Sequence, residues 1–184
     1  NLDSNRKKQL KHFRKIESSF IYDRKILTEF LLNTYYNFLN KVNASTVNYF
    51  NKETLKYICS LENIFMVGAG GANNPEAVYI FSYTPYIADC LINVAVPEGR
   101  EYSTLLFWGG LKYFRSKKIP LINLGGGVKL HDKIALSKER FGGYKLPFKS
   151  LKQIYDLNAY NKLCIEKGVD PDDLSGYFPP YRKV

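Results

Sequence analysis

Between Ile64 and Ala95 the apolar residues fall into three short alternating runs, and this stretch limits the fold more than any other. A period of two buries one face of a strand, whereas a helix needs a period near 3.6. The first run, Ile64 to Ala69, is separated from the second, Ala77 to Tyr83, by Gly70-Gly71-Ala72-Asn73-Asn74-Pro75. Thr84-Pro85 then separates the second from the third, Tyr86 to Ala95. Glycine, asparagine and proline supply the backbone angles that tight turns need. Strands joined so closely must run antiparallel, because a parallel return needs a crossover of about a dozen residues or more. In the third run Tyr86, Ala88, Cys90, Ile92 and Val94 are expected on one face, with Ile87, Asp89, Leu91 and Asn93 on the other. The window from Ala77 to Val96 is long enough for a membrane span, but Pro85, Asp89 and Asn93 interrupt it. Its alternation reads as two strands, so no transmembrane segment is expected.

Helical patterns flank this meander. Ile26, Leu27, Phe30, Leu31, Tyr35, Phe38, Leu39 and Val42 recur at steps of three and four, which predicts an amphipathic helix from about Arg24 to Val42. A short strand is expected at Ser18 to Tyr22, and a second helix, capped by Asn51, through Leu61. After the break at Pro97-Glu98-Gly99, Ser103 to Lys117 reads as a helix containing Gly109-Gly110. Each helical glycine costs about 1 kcal/mol relative to alanine, so the pair implies close packing against a strand. A strand at Leu121 to Leu124 follows, and a strand–helix–strand unit of this length makes a right-handed parallel crossover. A helix at Ile134 to Phe141, a strand at Tyr144 to Ile154 and a helix at Asn158 to Lys167 complete the prediction. Tyr177, Phe178 and Tyr181 are expected to pin the turn-rich tail to the body of the domain. The fold class expected is mixed α/β, with a mostly antiparallel sheet, a helical crossover to a parallel strand and helices on both faces. A basic arm or helix at residues 1–17 would precede a single domain at 18–184.

Composition excludes some chemistry. Three cysteines, Cys59, Cys90 and Cys164, form no C-x-x-C pair, and His12 and His131 stand alone, so no metal site is expected. The cysteines suit a reducing, cytoplasmic setting, peripheral to the membrane at most. Net charge is +10, and residues 1–25 carry eight Lys/Arg against three acids. Such a balance suits a phosphate-rich cofactor, a nucleic acid or an anionic membrane surface.

The crossover points to a site, because ligands favour the switch points of sheets. Around Gly99 to Thr104 the start of the crossover helix offers free N–H groups and the positive end of the helix dipole. Gly99, Arg100, Ser103 and Thr104 are therefore candidates for holding phosphate. Gly68-Ala69-Gly70-Gly71 lacks the spacing of a dinucleotide loop, and no Walker A, H-E-x-x-H or G-x-S-x-G pattern occurs.

Leu121-Ile-Asn-Leu-Gly-Gly-Gly127, followed by Ile134-Ala-Leu-Ser-Lys-Glu-Arg-Phe-Gly142, resembles a recurrent pattern. In it a strand ends in Asp-Leu-Gly-Gly and a Gly-Leu-x-x-Phe-Lys-x-x-Phe-Gly segment follows. With the long first helix and the closing Gly176-Tyr-Phe-Pro-Pro-Tyr-Arg182, the chain is similar to the FemAB-like peptidyltransferases of the GNAT acyltransferase superfamily. That resemblance implies a GNAT-like fold and transfer of an acyl or aminoacyl group to an amine. The donor would be acyl-CoA or aminoacyl-tRNA, with no other cofactor required, and the acceptor an amine on a cell-envelope precursor or sugar. Members typically carry two such domains and this chain has room for one, so the resemblance implies a second domain as a possible partner. The Lys of the Phe-Lys pair corresponds to Lys138, which the resemblance places near the donor or acceptor cleft. Arg100 keeps the arginine of the GNAT pyrophosphate loop, while Ser103 replaces its first glycine. For the chemistry, Asp89 is a candidate base and Tyr155 a candidate acid. Positioning of donor and acceptor alone is an alternative source of catalysis, and a non-catalytic domain binding RNA or anionic lipid is the alternative function.

Overall fold

The computed structural model describes residues 2–71, 73–127, 132–147 and 149–183. Ala72 of the first turn, His131 and Phe148 therefore lie outside the described residues. The chain divides into two compact units, Asn1–Tyr144 and Lys145–Val184.

The first unit is built on four strands in the order β1-β2-β3-β4. Strands β1 (Ile64–Gly71), β2 (Asn74–Tyr83) and β3 (Ile87–Ala95) form the antiparallel meander that the alternation demanded. Helix α5 (Ser103–Ser116) then carries the chain across to β4 (Leu121–Asn123), which lies parallel to β3. This is the mixed α/β fold expected of the sequence.

Helices cover both faces. On one lie α3 (Arg24–Lys41) and α4 (Lys52–Ser60), whose Leu27, Leu31, Tyr35, Leu39, Leu55 and Cys59 meet Met66, Val78, Ile80 and Ile92. Asp23 and Asn51 cap these helices, accepting from the N–H groups of Ile26 at 3.0 Å and Thr54 at 2.7 Å. Arg24, one of the eight early cations, is a structural pin. Its guanidinium donates to the carbonyls of Cys59, Leu61 and Ile64 at 2.7–2.8 Å, satisfying groups that the end of α4 leaves free.

The opposite face carries α5, together with two short helices from the basic arm, α1 (Ser4–Gln9) and α2 (Phe13–Glu17). Here the glycine pair of α5 is explained. A Cβ on Gly109 would sit 2.9 Å from the Phe20 ring, and one on Gly110 would sit 2.5 Å from Phe81. The helix packs so close to Phe20 and to Phe81 of β2 that a side chain at either glycine would have to displace a ring.

Three local expectations need correction. The alternation of β3 does not run through: the register shifts opposite Ile80 and Phe81, which pair with Ile92 and Cys90 and leave Leu91 over as a bulge. Ala88 and Cys90 consequently pack on the α5 side, whereas Ile92 and Val94 pack on the α3 side. Ser18–Tyr22 contributes a single bridge, Ile21 to Gly68, not a strand. No described residue between Tyr144 and Ile154 is in a strand. Leu146 and Leu151 are exposed, and Pro147 has no N–H to give a ladder.

After α5 and β4, α6 (Lys133–Glu139) closes the first unit, capped by Asp132. The second unit contains α7 (Leu157–Glu166), which ends at Gly168 in a left-handed conformation. Tyr160 of α7 packs against Phe178 and Tyr181 with ring centroids 6.0 and 5.9 Å away, so these two hold the tail to α7 within the second unit. Tyr177 is exposed and does not.

Candidate functional site

Strand β4 is only three residues long, and its parallel pairing covers Ile87, Ala88 and Asp89 of β3. Beyond Asp89, no described strand pairs with that edge of β3. Among the described residues, 90–95 therefore leave unpaired backbone along an edge where Leu91 and Asn93 are exposed. The edge leads straight into the start of the crossover helix, where a 3-10 turn, Glu98–Tyr102, runs into α5.

At this helix start Gly99 is buried against β2, and any Cβ there would collide with the backbone of Glu76. Arg100 is exposed. The Ser103 N–H donates to the carbonyl of Arg100, and the Gly99 N–H donates to that of Val96 at 3.0 Å. Thr104 lends its hydroxyl oxygen to Arg6. The four residues are gathered in one turn and a half of helix, with the Ser103 N–H already used in the ladder.

Asp89 and Lys138 are drawn to the same end of the crossover. Asn123 of β4 donates its side-chain amide to Asp89 at 2.8 Å and accepts from the Gly125 N–H at 2.9 Å. Lys138, on α6, donates to the Gly126 carbonyl at 2.8 Å. The glycine run after β4 permits this, since Gly125 has φ of +63°, a conformation that side chains disfavour. Cys90 feels both groups. Burial pushes its thiol up to about 12, with Lys138 pulling down and Asp89 adding to the rise. A thiol so poised is neutral and unsuited to be a nucleophile. Tyr155 belongs to the second unit, where its side chain is 90% exposed.

Sequence reasoning missed a polar cluster under the α5 layer. The Tyr79 hydroxyl on β2 accepts from the Asn93 amide at 3.0 Å. Burial pushes this phenol up to about 12, and nearby Cys90 adds to that, while Asn93, Ser103 and Arg6 oppose it. Arg6 itself is 3% exposed, the one charged residue among those described that is buried in the core. Its guanidinium donates to Gln9 at 2.7 Å, to Thr104, and to the carbonyl and hydroxyl of Ser137 at 2.8 and 3.0 Å, and it lies 4.1 Å from the centroid of the Phe141 ring. Nothing in Ser4–Gln9 distinguishes Arg6 from its neighbours Lys7 and Lys8 except the apolar steps to Leu10 and Phe13.

A cavity of about 550 Å3 lies elsewhere, between α3 and the start of β2. Glu29, Glu76 and Glu98 line it with Asn33 and Thr34, and none of the seven candidate residues does. Among the described residues no group of three or more His, Cys, Asp or Glu could hold a metal, and no helix is long and apolar enough to cross a membrane.

No family model and no curated protein matches the chain. Among solved structures it is similar to the aminoglycoside N-acetyltransferase AAC(6')-Iy in complex with CoA, at 7% identity and a TM-score of 0.45, over 70% of this chain and 95% of that one. It is also similar to a possible acetyltransferase from Clostridium difficile 630, at 12% identity and a TM-score of 0.48, over 68% and 92% of the two chains. A variant of a protein from Bacillus halodurans matches at 9% identity and a TM-score of 0.43, over 72% and 91%. Each of these is a likeness of fold.

Proposed function

We propose that the chain is a GNAT-type acyltransferase domain that takes its acyl group from a coenzyme A thioester and delivers it to an amine. The observation that carries this reading is the unpaired edge of β3 running from Cys90 into the helix start at Glu98. An extended ligand with amides of its own can pair with such an edge as an added strand would. The pantetheine arm of coenzyme A is such a ligand, and its diphosphate would then meet the positive end of the crossover helix. Gly99, Arg100, Ser103 and Thr104 are the proposed phosphate-binding turn, with Arg100 supplying the exposed cation.

The chemistry asked of the protein is modest. An edge N–H near the Leu91 bulge would stabilise the oxyanion as the amine attacks the thioester carbonyl. Asp89 is the proposed base for that amine and Lys138 the proposed contact to the donor or acceptor, while the coenzyme A thiolate leaves and takes its proton from water. An aminoacyl-tRNA donor and an acceptor amine on a cell-envelope precursor or sugar belong to this reading through the FemAB-like segments.

A second reading, a non-catalytic domain binding a polyanion, is favoured by the exposed cations Lys7, Lys8, Lys11, Arg14 and Lys15 on α1, α2 and the turn between. Thermal unfolding with acetyl-CoA, free CoA and charged tRNA separates the two. A ligand at 100 times its dissociation constant stabilises by about 2.7 kcal/mol, a rise of roughly 5–10 °C for a chain this size. A rise with acetyl-CoA that is lost in Arg100→Ala supports the acyl-CoA reading. A response to tRNA that fades steeply with salt, without a CoA response, favours the polyanion reading.

A further inference from the structure

An arginine can sit inside a core for the stability it adds or for the geometry it imposes. Desolvating a guanidinium is costly, so a buried charge is weak evidence for the first reason. Arg6 is 3% exposed, and its Nε–H, sealed from solvent, has no partner among the described residues. Its other four N–H groups are all in use, and they reach three elements. Nη1 donates to Gln9 of α1 at 2.7 Å and to the Thr104 hydroxyl in the first turn of α5. Nη2 donates to the carbonyl and the hydroxyl of Ser137 on α6, at 2.8 and 3.0 Å. Two further contacts fasten α1 to the end of α6. The guanidinium lies 4.1 Å from the centroid of the Phe141 ring, and the Asp3 N–H donates to the Arg140 carbonyl at 3.1 Å. A planar fork can span this set of acceptors, whereas the point charge of a lysine cannot.

Both ends of the fork fall on the proposed site. Thr104 belongs to the phosphate-binding turn, and Ser137 immediately precedes Lys138. From Lys138 the contacts continue. Its amine donates to the Gly126 carbonyl at 2.8 Å, the adjoining Gly125 N–H donates to Asn123 at 2.9 Å, and Asn123 donates to Asp89 at 2.8 Å. Arg6 therefore joins the donor turn to the run of contacts that ends at the candidate base. It also decides what the Thr104 hydroxyl can do. Thr28 and Thr34 on α3 turn their hydroxyls back to the carbonyls four residues earlier, at 2.7 and 2.6 Å. Thr104 instead accepts from Arg6, and its hydroxyl hydrogen has no acceptor among the described residues. That hydrogen remains for a ligand at the helix start. We propose that Arg6 is a positioning residue, which keeps the Thr104 hydroxyl available to a donor phosphate and holds α6, and with it Lys138, beside that turn. The inference rests on the acyl-CoA reading and deepens it, giving the basic arm a part in the site that its charge alone would not suggest.

The test measures acetyl-CoA affinity by calorimetry on the whole chain, with thermal unfolding of each variant alongside. Arg6→Lys keeps the charge but loses the fork, and should bind acetyl-CoA about tenfold more weakly at a temperature where it is folded. Thr104→Val should lose about as much. The two residues act as one unit, so the double variant should bind within about threefold of the weaker single one, where independent losses would multiply to about a hundredfold. Gln9→Ala combined with Ser137→Ala, two exposed positions, loosens the fork without touching the core and should weaken binding by about threefold. That variant carries the test if Arg6→Lys does not fold. A lower melting temperature with acetyl-CoA affinity unchanged would make Arg6 a structural pin and overturn the proposal, as would losses that multiply. If the wild type itself fails to bind acetyl-CoA, the acyl-CoA reading falls and takes the positioning role with it. If the wild type binds and the variants bind equally well, only the positioning role falls.

Discussion

The two faces of the one sheet are built differently. Against α3 and α4 the core is aliphatic and apolar to the centre, with Leu27, Leu31, Leu55, Val78 and Ile80 all essentially inaccessible. The α5 face is aromatic, around Phe81, Phe107 and Phe114, and admits polar groups: Arg6, the Tyr79 hydroxyl, Cys90 and the side chains of Ser103 and Thr104. Polar groups inside a core are costly unless each is satisfied, and they make a core specific more than they make it stable. The first face is thus where stability concentrates, and the second, with the open edge of β3 beside it, is where binding should be sought.

The sharpest way to break this contrast is to truncate each face. Leu31→Ala should cost about 2–5 kcal/mol in urea unfolding while leaving the response of the folded fraction to acetyl-CoA unchanged. A large loss of ligand affinity there would erase the distinction. Alkaline pH probes the other face. The Tyr79 phenol titrates near 10 in the unfolded chain and about 12 in the folded one, so the unfolded state loses its proton first as pH rises. Its contribution is intact below pH 10 and drains away from there to about pH 12, by up to about 3 kcal/mol. Tyr79→Phe should flatten that part of the stability curve, and an unchanged slope would contradict the assignment. Gly110→Ala should cost about 1–3 kcal/mol, because its new methyl meets the Phe81 ring; unfolding that matches the wild type would mean α5 can move away from the sheet. The smallest stability effect belongs to the site itself. Arg100→Ala, at an exposed position, should shift stability by no more than about 0.5 kcal/mol yet weaken acetyl-CoA binding in calorimetry.

The α3 face was readable in the sequence because its signals are local. A 3.6 period, the cap Asn51 and the turn at Thr84-Pro85 all act within a few residues. The crossover was legible in the same way, since a turn-bounded helix between two apolar runs has few alternatives. The bulge at Leu91 was not, because Leu91 and Ile92 are both apolar and either could have faced the core. Arg6 was hidden for a different reason. Its partners Thr104 and Ser137 are 98 and 131 residues further on, and a lysine-rich stretch reads as a solvated face until those segments come together. Of the candidate residues, Asp89 and Lys138 are joined through Asn123 and the glycine run, a link that the resemblance to FemAB-like segments did not anticipate.

Amide hydrogen exchange with and without saturating acetyl-CoA tests the central claim most directly, namely that the open edge of β3 and the turn beyond it receive the donor. Protection should appear in residues 90–104, spanning the unpaired edge and the helix start, and the α3 face should exchange as before. Saturable binding that protects other segments, or no binding at all, would contradict the account.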